Sequence, residues 1–95
     1  MAGCRLRPKA VEDLQAIGDL IAIDDPARAV SFVEEIASVL DRIAARPRAF
    51  QRRDDLAPGL RQAVHGQYLV LFTAAEEDVV VERVLHGARR LEDLI

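Results

Sequence analysis

The chain contains no tryptophan, one tyrosine, one methionine and a single cysteine. One thiol, Cys4, cannot close an internal disulfide. The two histidines stand in no Cys–His run with metal-ligand spacing, so neither a disulfide framework nor a metal centre is expected. The five glycines form no phosphate-cradling loop, and Ser31 and Ser38 fall in a helical pattern, which leaves no cofactor motif and no support for serine or cysteine nucleophile chemistry. Long hydrophobic runs are missing too: the longest apolar stretch, Tyr68 to Ala75, is far below the roughly 20 residues of a spanning helix. No apolar segment follows Arg5, Arg7 and Lys9, so a secretory leader is not expected and the cytoplasm is the expected location.

Lysine is nearly absent as well: twelve of the thirteen basic residues are arginine, whose planar fork suits bidentate contact with carboxylate or phosphate. Ninety-five residues, 51% hydrophobic and 31% charged, make one globular domain spanning 1–95. The net charge of −3 hides segregation along the chain. Residues 1–10 carry +3, residues 11–41 carry −7, residues 42–61 carry +4, residues 62–82 carry −4 and residues 83–95 carry +1. An acidic total disfavours nonspecific duplex binding, whose affinity comes from neutralised phosphates, and favours a protein partner with its own charge pattern.

Periodicity supplies the elements. Cys4 to Arg7 is a short extended segment stopped at Pro8. Ala10, Leu14, Ile17 and Ile21 recur at offsets of three and four, with Glu12, Asp13, Gln15 and Asp19 on the other face, which predicts a helix from Lys9 to Ile23. Asp24-Asp25-Pro26 caps and restarts a second helix, Pro26 to Ala45, with an apolar stripe of Ala29, Phe32, Val33, Ile36, Val39, Leu40 and Ile43. So short a link predicts an antiparallel helical hairpin. Pro47 to Pro58 reads as a loop, and Pro58-Gly59 as a type II turn. Leu60–His65, Tyr68–Thr73 and Val79–His86 then read as three strands of an antiparallel meander. The Tyr68 run is apolar at both parities and is expected to be covered on both faces, yet only one cover, the hairpin, is evident, so the opposite face is expected to be apolar and open to a partner.

Chemistry concentrates near the C-terminus, in Arg83-Val84-Leu85-His86-Gly87-Ala88-Arg89-Arg90. For phosphodiester cleavage, His86 would serve as acid or base, Arg83 and Arg89 as the electrostatic clamp, and Tyr68 as a stacking platform. The plainer reading of His86 is a solvated or hydrogen-bonded residue, and that of Arg83 an ion pair with a nearby acid. Strand parity sets Arg83 with Val79, Val81 and Leu85 on one face, and Glu82 on the other. His65, before Gly66-Gln67, reads as a polar turn residue. The cluster Arg42, Arg46, Arg48, Arg52 and Arg53 reads as a helix C-terminus and solvated loop.

Leu6-Arg7-Pro8-Lys9-Ala10, Asp13-Leu14 with Ile17, Ile21-Ala22 before Asp25-Pro26, Ala29 and Phe32, Pro47, Gly59-Leu60-Arg61, Tyr68-Leu69-Val70 and Arg83-Val84-Leu85-His86-Gly87-Ala88-Arg89 together resemble the ParE branch of the RelE/ParE toxin family. The resemblance implies an α+β fold, with a short N-terminal strand and an antiparallel helical hairpin packed on an antiparallel three- to four-stranded sheet. It implies the toxin of a bacterial type II toxin–antitoxin pair that inhibits DNA gyrase by stabilising its cleaved-DNA complex and is not an enzyme. A ParD-like antitoxin of the ribbon-helix-helix type would neutralise it in a hetero-oligomer that meets DNA only through antitoxin or gyrase. Arg83, His86, Arg89, Arg90 and Leu91 are the expected antitoxin or target contacts. Two alternatives share the fold: a RelE-type ribosome-dependent mRNA endoribonuclease using His86, Arg83 and Arg89, and a non-toxic corepressor bound to the antitoxin. A single lysine, no tyrosine after Tyr68 and an acidic total depart from the basic surface of the RelE branch.

Overall fold

The structure, a computed structural model, describes residues 3–76, 78–88 and 91. In chain order it contains β1 (Cys4–Leu6), α1 (Pro8–Asp24), α2 (Pro26–Ala45), a 3-10 turn (Pro47–Ala49), β2 (Gln51–Arg52), β3 (Leu60–His65), β4 (Tyr68–Ala75) and β5 (Asp78–His86). Pro8 opens α1 because the first helical position needs no amide donor. Asp25 ends it and starts the next helix: its amide donates to the Ile21 carbonyl, and its carboxylate accepts from the Arg28 amide at 3.0 Å. Replacing such an N-cap by alanine costs about 1 kcal/mol.

Glycine is required at two turns. Gly59 (φ 78°) follows Pro58 in the turn closed by the Leu60 amide on the Ala57 carbonyl, which is the type II geometry expected of Pro-Gly. Gly66 (φ 59°) is the first of two residues joining β3 to β4, where positive φ matches the hairpin to the strands' twist.

The sheet has five strands in the order β1-β5-β4-β3-β2. The three long strands form the expected meander, but the sheet is mixed and wider than the expected three or four antiparallel strands. β1 pairs parallel with β5, Cys4 opposite Val79 and Leu6 opposite Val81, so the two ends of the chain share one edge. The segment read as pure loop contributes β2, whose two residues pair with Arg61 and Gln62. Two residues are too few to show a period.

One face of the sheet lies under the hairpin. There Phe32, Ile36, Val39 and Ile43 of α2 and Ala10 of α1 pack on Ala63, Val70, Phe72, Val79, Val81 and Val84. The opposite face, expected to be open, carries a second cluster of Leu60, Leu71, Leu85 and Leu91, flanked by Leu56, Ala57 and Leu69. The loop before β3 folds beneath the sheet, and Leu91 returns onto it. Sequence position alone gave no reason to place either there.

Candidate partner-binding site

Arg83 stands at a β-bulge. Opposite Phe72 the register holds Val81, but opposite Leu71 it holds Arg83, so Glu82 is an extra residue in β5. The side-chain alternation therefore slips: Val79, Val81 and Val84 face the hairpin, while Leu85 joins the opposite cluster. This corrects the expectation that Val79, Val81, Arg83 and Leu85 share one face. Glu82 accepts from the Arg7 Nε at 3.2 Å and from the Thr73 hydroxyl at 3.3 Å.

Asp13 grips the bulge. Its carboxylate accepts from Arg83 Nε at 2.8 Å and Nη2 at 2.9 Å, and also from the Val84 amide at 3.0 Å, a donor with β1 no longer alongside. The side chains of Arg83 and Asp13 are only 15% and 13% exposed, and the carboxylate raises the guanidinium's already high pKa. Asp13, read from periodicity as part of the solvent face of α1, is thus an internal clasp. The pairing of Arg83 with an acid was one of the two readings open from sequence, but the acid lies 70 residues away and no local pattern identifies it.

His86 ends β5 beside Tyr68. Its Nδ1 accepts from the Ala88 amide at 3.1 Å, which leaves Nε2 as the donor to Gln67 Oε1 at 3.1 Å. The imidazole meets the Tyr68 ring edge-on at 5.3 Å, and Tyr68 meets Phe32 in the same manner at 5.1 Å. Across the strands His65 is opposite Tyr68 and Tyr68 opposite His86, so these three rings form a transverse row at one end of the sheet. Hollows of about 270 Å³ and 350 Å³ flank Tyr68, one toward Phe32 and His65, the other toward Ile17 and Leu20 of α1.

His65 is no mere turn residue. It closes β3, packs on Phe32, and shares a 2.7 Å hydrogen bond with Glu35 of α2. That bond, with Arg28 beside it, holds the Glu35 carboxyl below the ordinary carboxylate range. Arg52, in β2 rather than in a loop, pairs with Asp54 at the surface. Arg53 pairs with Asp55 and, only 21% exposed, also donates to Gln62 Oε1 at 2.7 Å, so it is less solvated than a loop residue was expected to be. Burial pushes the Cys4 thiol up, and its sulfur lies 3.3 Å from the Leu40 carbonyl oxygen, an environment that suppresses the thiolate. Among the described residues no group of three His, Cys, Asp or Glu side chains converges to hold a metal ion.

Of the five expected contact residues, Arg83 and His86 both lie on β5, but opposite Leu71 and Tyr68, on different faces of the sheet, with Arg83 engaged by Asp13 and His86 by Gln67. Leu91 is 7% exposed and packs against Leu60, Leu71 and Leu85. Arg89 and Arg90 lie outside the described residues. Of the three residues that a nuclease would use, His86 and Arg83 already have partners within the fold, and Arg89 lies outside the described residues. The sequence reading did not anticipate the apolar recess beside the start of α1, lined by Arg7, Pro8, Lys9, Leu60, Thr73 and Arg83 among others. Only the +3 charge of the first ten residues hinted at it.

A helical hairpin on one face of a small mixed sheet, with a short parallel edge strand, is the architecture of a solved chain from the chromosomal ParDE TA system of P. aeruginosa. The TM-score is 0.77, covering 90% of this chain and 96% of that one, and at 20% identity the likeness concerns the fold. The family described as "ParE toxin of type II toxin-antitoxin system, parDE" matches residues 4–91, and the chain belongs to it. Toxin ParE3 of Caulobacter vibrioides is 41% identical over 59 residues, a stretch that is 62% of this chain and 59% of that toxin. The match thus spans about three-fifths of that relative. Among the described residues no helix is long and apolar enough to cross a membrane.

Proposed function

We propose that the protein is the toxin of a parDE-type pair: it inhibits DNA gyrase by stabilising the enzyme's cleaved-DNA complex, and a ParD-like ribbon-helix-helix antitoxin neutralises it in a cytoplasmic hetero-oligomer. The family match over residues 4–91 carries this reading. The site supports binding over catalysis. A phosphoryl clamp needs a guanidinium that is available to substrate, whereas Arg83 makes a bidentate pair with Asp13 and His86 has both ring nitrogens engaged.

The test is a paired assay on purified protein. Inhibition of gyrase supercoiling with accumulation of linear DNA, and no transcript cleavage on translating ribosomes, is the expected result. Cleavage alone would replace this reading with the endoribonuclease one, and silence in both with the corepressor. Arg83, His86, Arg89, Arg90 and Leu91 remain the residues proposed to touch antitoxin or gyrase. Alanine at Arg83, Arg89 and Arg90 together, with the fold checked by circular dichroism, should weaken antitoxin affinity and toxicity. No change in either removes the three arginines from the contact.

A further inference from the structure

The recess at the start of α1 lies on the sheet face away from the hairpin. It has a volume of about 540 Å³, large enough for one or two bulky side chains. Its lining is Leu60, Ala57, Pro8 and the polar Thr73, while Arg7, Lys9 and Arg83 supply cations and Glu82 the one acid among the described residues. Glu82 is held by Arg7, and Arg83 is matched by Asp13, so the positive excess centres on Lys9. The charge is reinforced by the helix itself: α1 opens at Pro8 with no side chain capping its amides, and the positive end of its dipole lies beside the recess.

We infer that this recess is a docking pocket for an extended peptide segment of the neutralising partner, one that places a bulky apolar side chain on Leu60 and an adjacent carboxylate against Lys9 and Arg7. The chemistry of the occupant follows from complementarity. A basic segment would be repelled by Lys9 and by the positive end of the α1 dipole, and a purely apolar one would leave Lys9 unanswered. The inference rests on the antitoxin reading for the source of the segment, and on the pocket alone for its chemistry.

The experiment separates the two. The full chain, labelled with 15N, is titrated with the synthetic peptide acetyl-Gly-Glu-Leu-Glu-Phe-Glu-Gly-amide and, separately, with the same peptide carrying lysine at each glutamate. Amide shifts centred on Lys9, Ala57, Leu60 and Thr73 are expected with the acidic peptide and not with the basic one. Lys9→Glu should weaken binding about fivefold, in line with loss and reversal of an exposed charge pair. An acid in the first turn of α1 favours the helix, so this variant keeps its fold. Raising the salt from 50 to 500 mM should weaken binding in the same direction. Shifts elsewhere on the surface, equal binding of the basic peptide, no binding at millimolar peptide, or indifference to Lys9→Glu would each overturn the pocket. If the peptide binds as described but a ParD-like antitoxin forms no complex with the chain, the antitoxin reading fails and the pocket stands.

Discussion

The two faces of the sheet bury different side chains by different means: phenylalanine, isoleucine and valine under the hairpin, leucine on the opposite side. The hairpin face is sealed by two long helices whose residues were set in register by periodicity, with Phe32, Ile36, Val39 and Ile43 all almost fully buried. The opposite face is sealed by pieces: a loop carrying Leu56 and Ala57, and Leu91 near the end of the chain. The first face is a core in the ordinary sense. The second is a patchwork that, among the described residues, leaves Val64 exposed and the Lys9 recess open.

The largest effect should come from the sealed face. Phe32→Ala removes a ring that touches His65 and Tyr68 and should cost about 4 kcal/mol in urea unfolding. A loss under 1 kcal/mol would mean the hairpin is not the main cover. Asp13→Ala strips the clasp from Arg83 and the bulge amide and should cost about 3 kcal/mol, since it takes the bidentate carboxylate from a mostly buried guanidinium. Nuclear magnetic resonance should place the disturbance at Glu82 to Leu85. On the patched face, Leu91→Ala should cost about 2 kcal/mol. If stability is unchanged while partner affinity falls, Leu91 is a contact residue and the face is open in solution.

The smallest expected effect is a pH dependence on the hairpin side. The hydrogen bond from His65, then that from Arg28, depresses the Glu35 pKa in the folded chain. The unfolded chain therefore takes up the proton first on acidification. The contribution is complete above about pH 4.3, the ordinary glutamate value, and is lost as pH falls through the depressed folded value. Between pH 6 and pH 3 the wild type should lose more stability than Glu35→Gln, as measured by thermal unfolding. Parallel curves would sever this link between α2 and β3.

Both helices and the three long strands were legible in the sequence because their signals are local: offsets of three and four, Asp25-Pro26 as a cap and restart, Pro58-Gly59 and Gly66 as turns. What escaped was decided by distant partners. The bulge at Glu82 cannot be read from alternation, since its stabilising carboxylate, Asp13, belongs to a helix 70 residues earlier. His65 looked like a turn residue because Glu35, which holds it, lies 30 residues away. β1 was visible as an extended segment, but its parallel pairing with β5 was not, and that pairing makes the sheet mixed.

The pairing of β1 with β5 also sets an order on synthesis. β1 has no sheet neighbour until β5 is made, so a chain released after Ala75 would lack both β5 and the docking edge for Cys4–Leu6. Such a fragment should be digested by protease at a rate typical of an unfolded polypeptide. This edge of the sheet thus closes late, because its two strands meet only across almost the whole of the intervening fold.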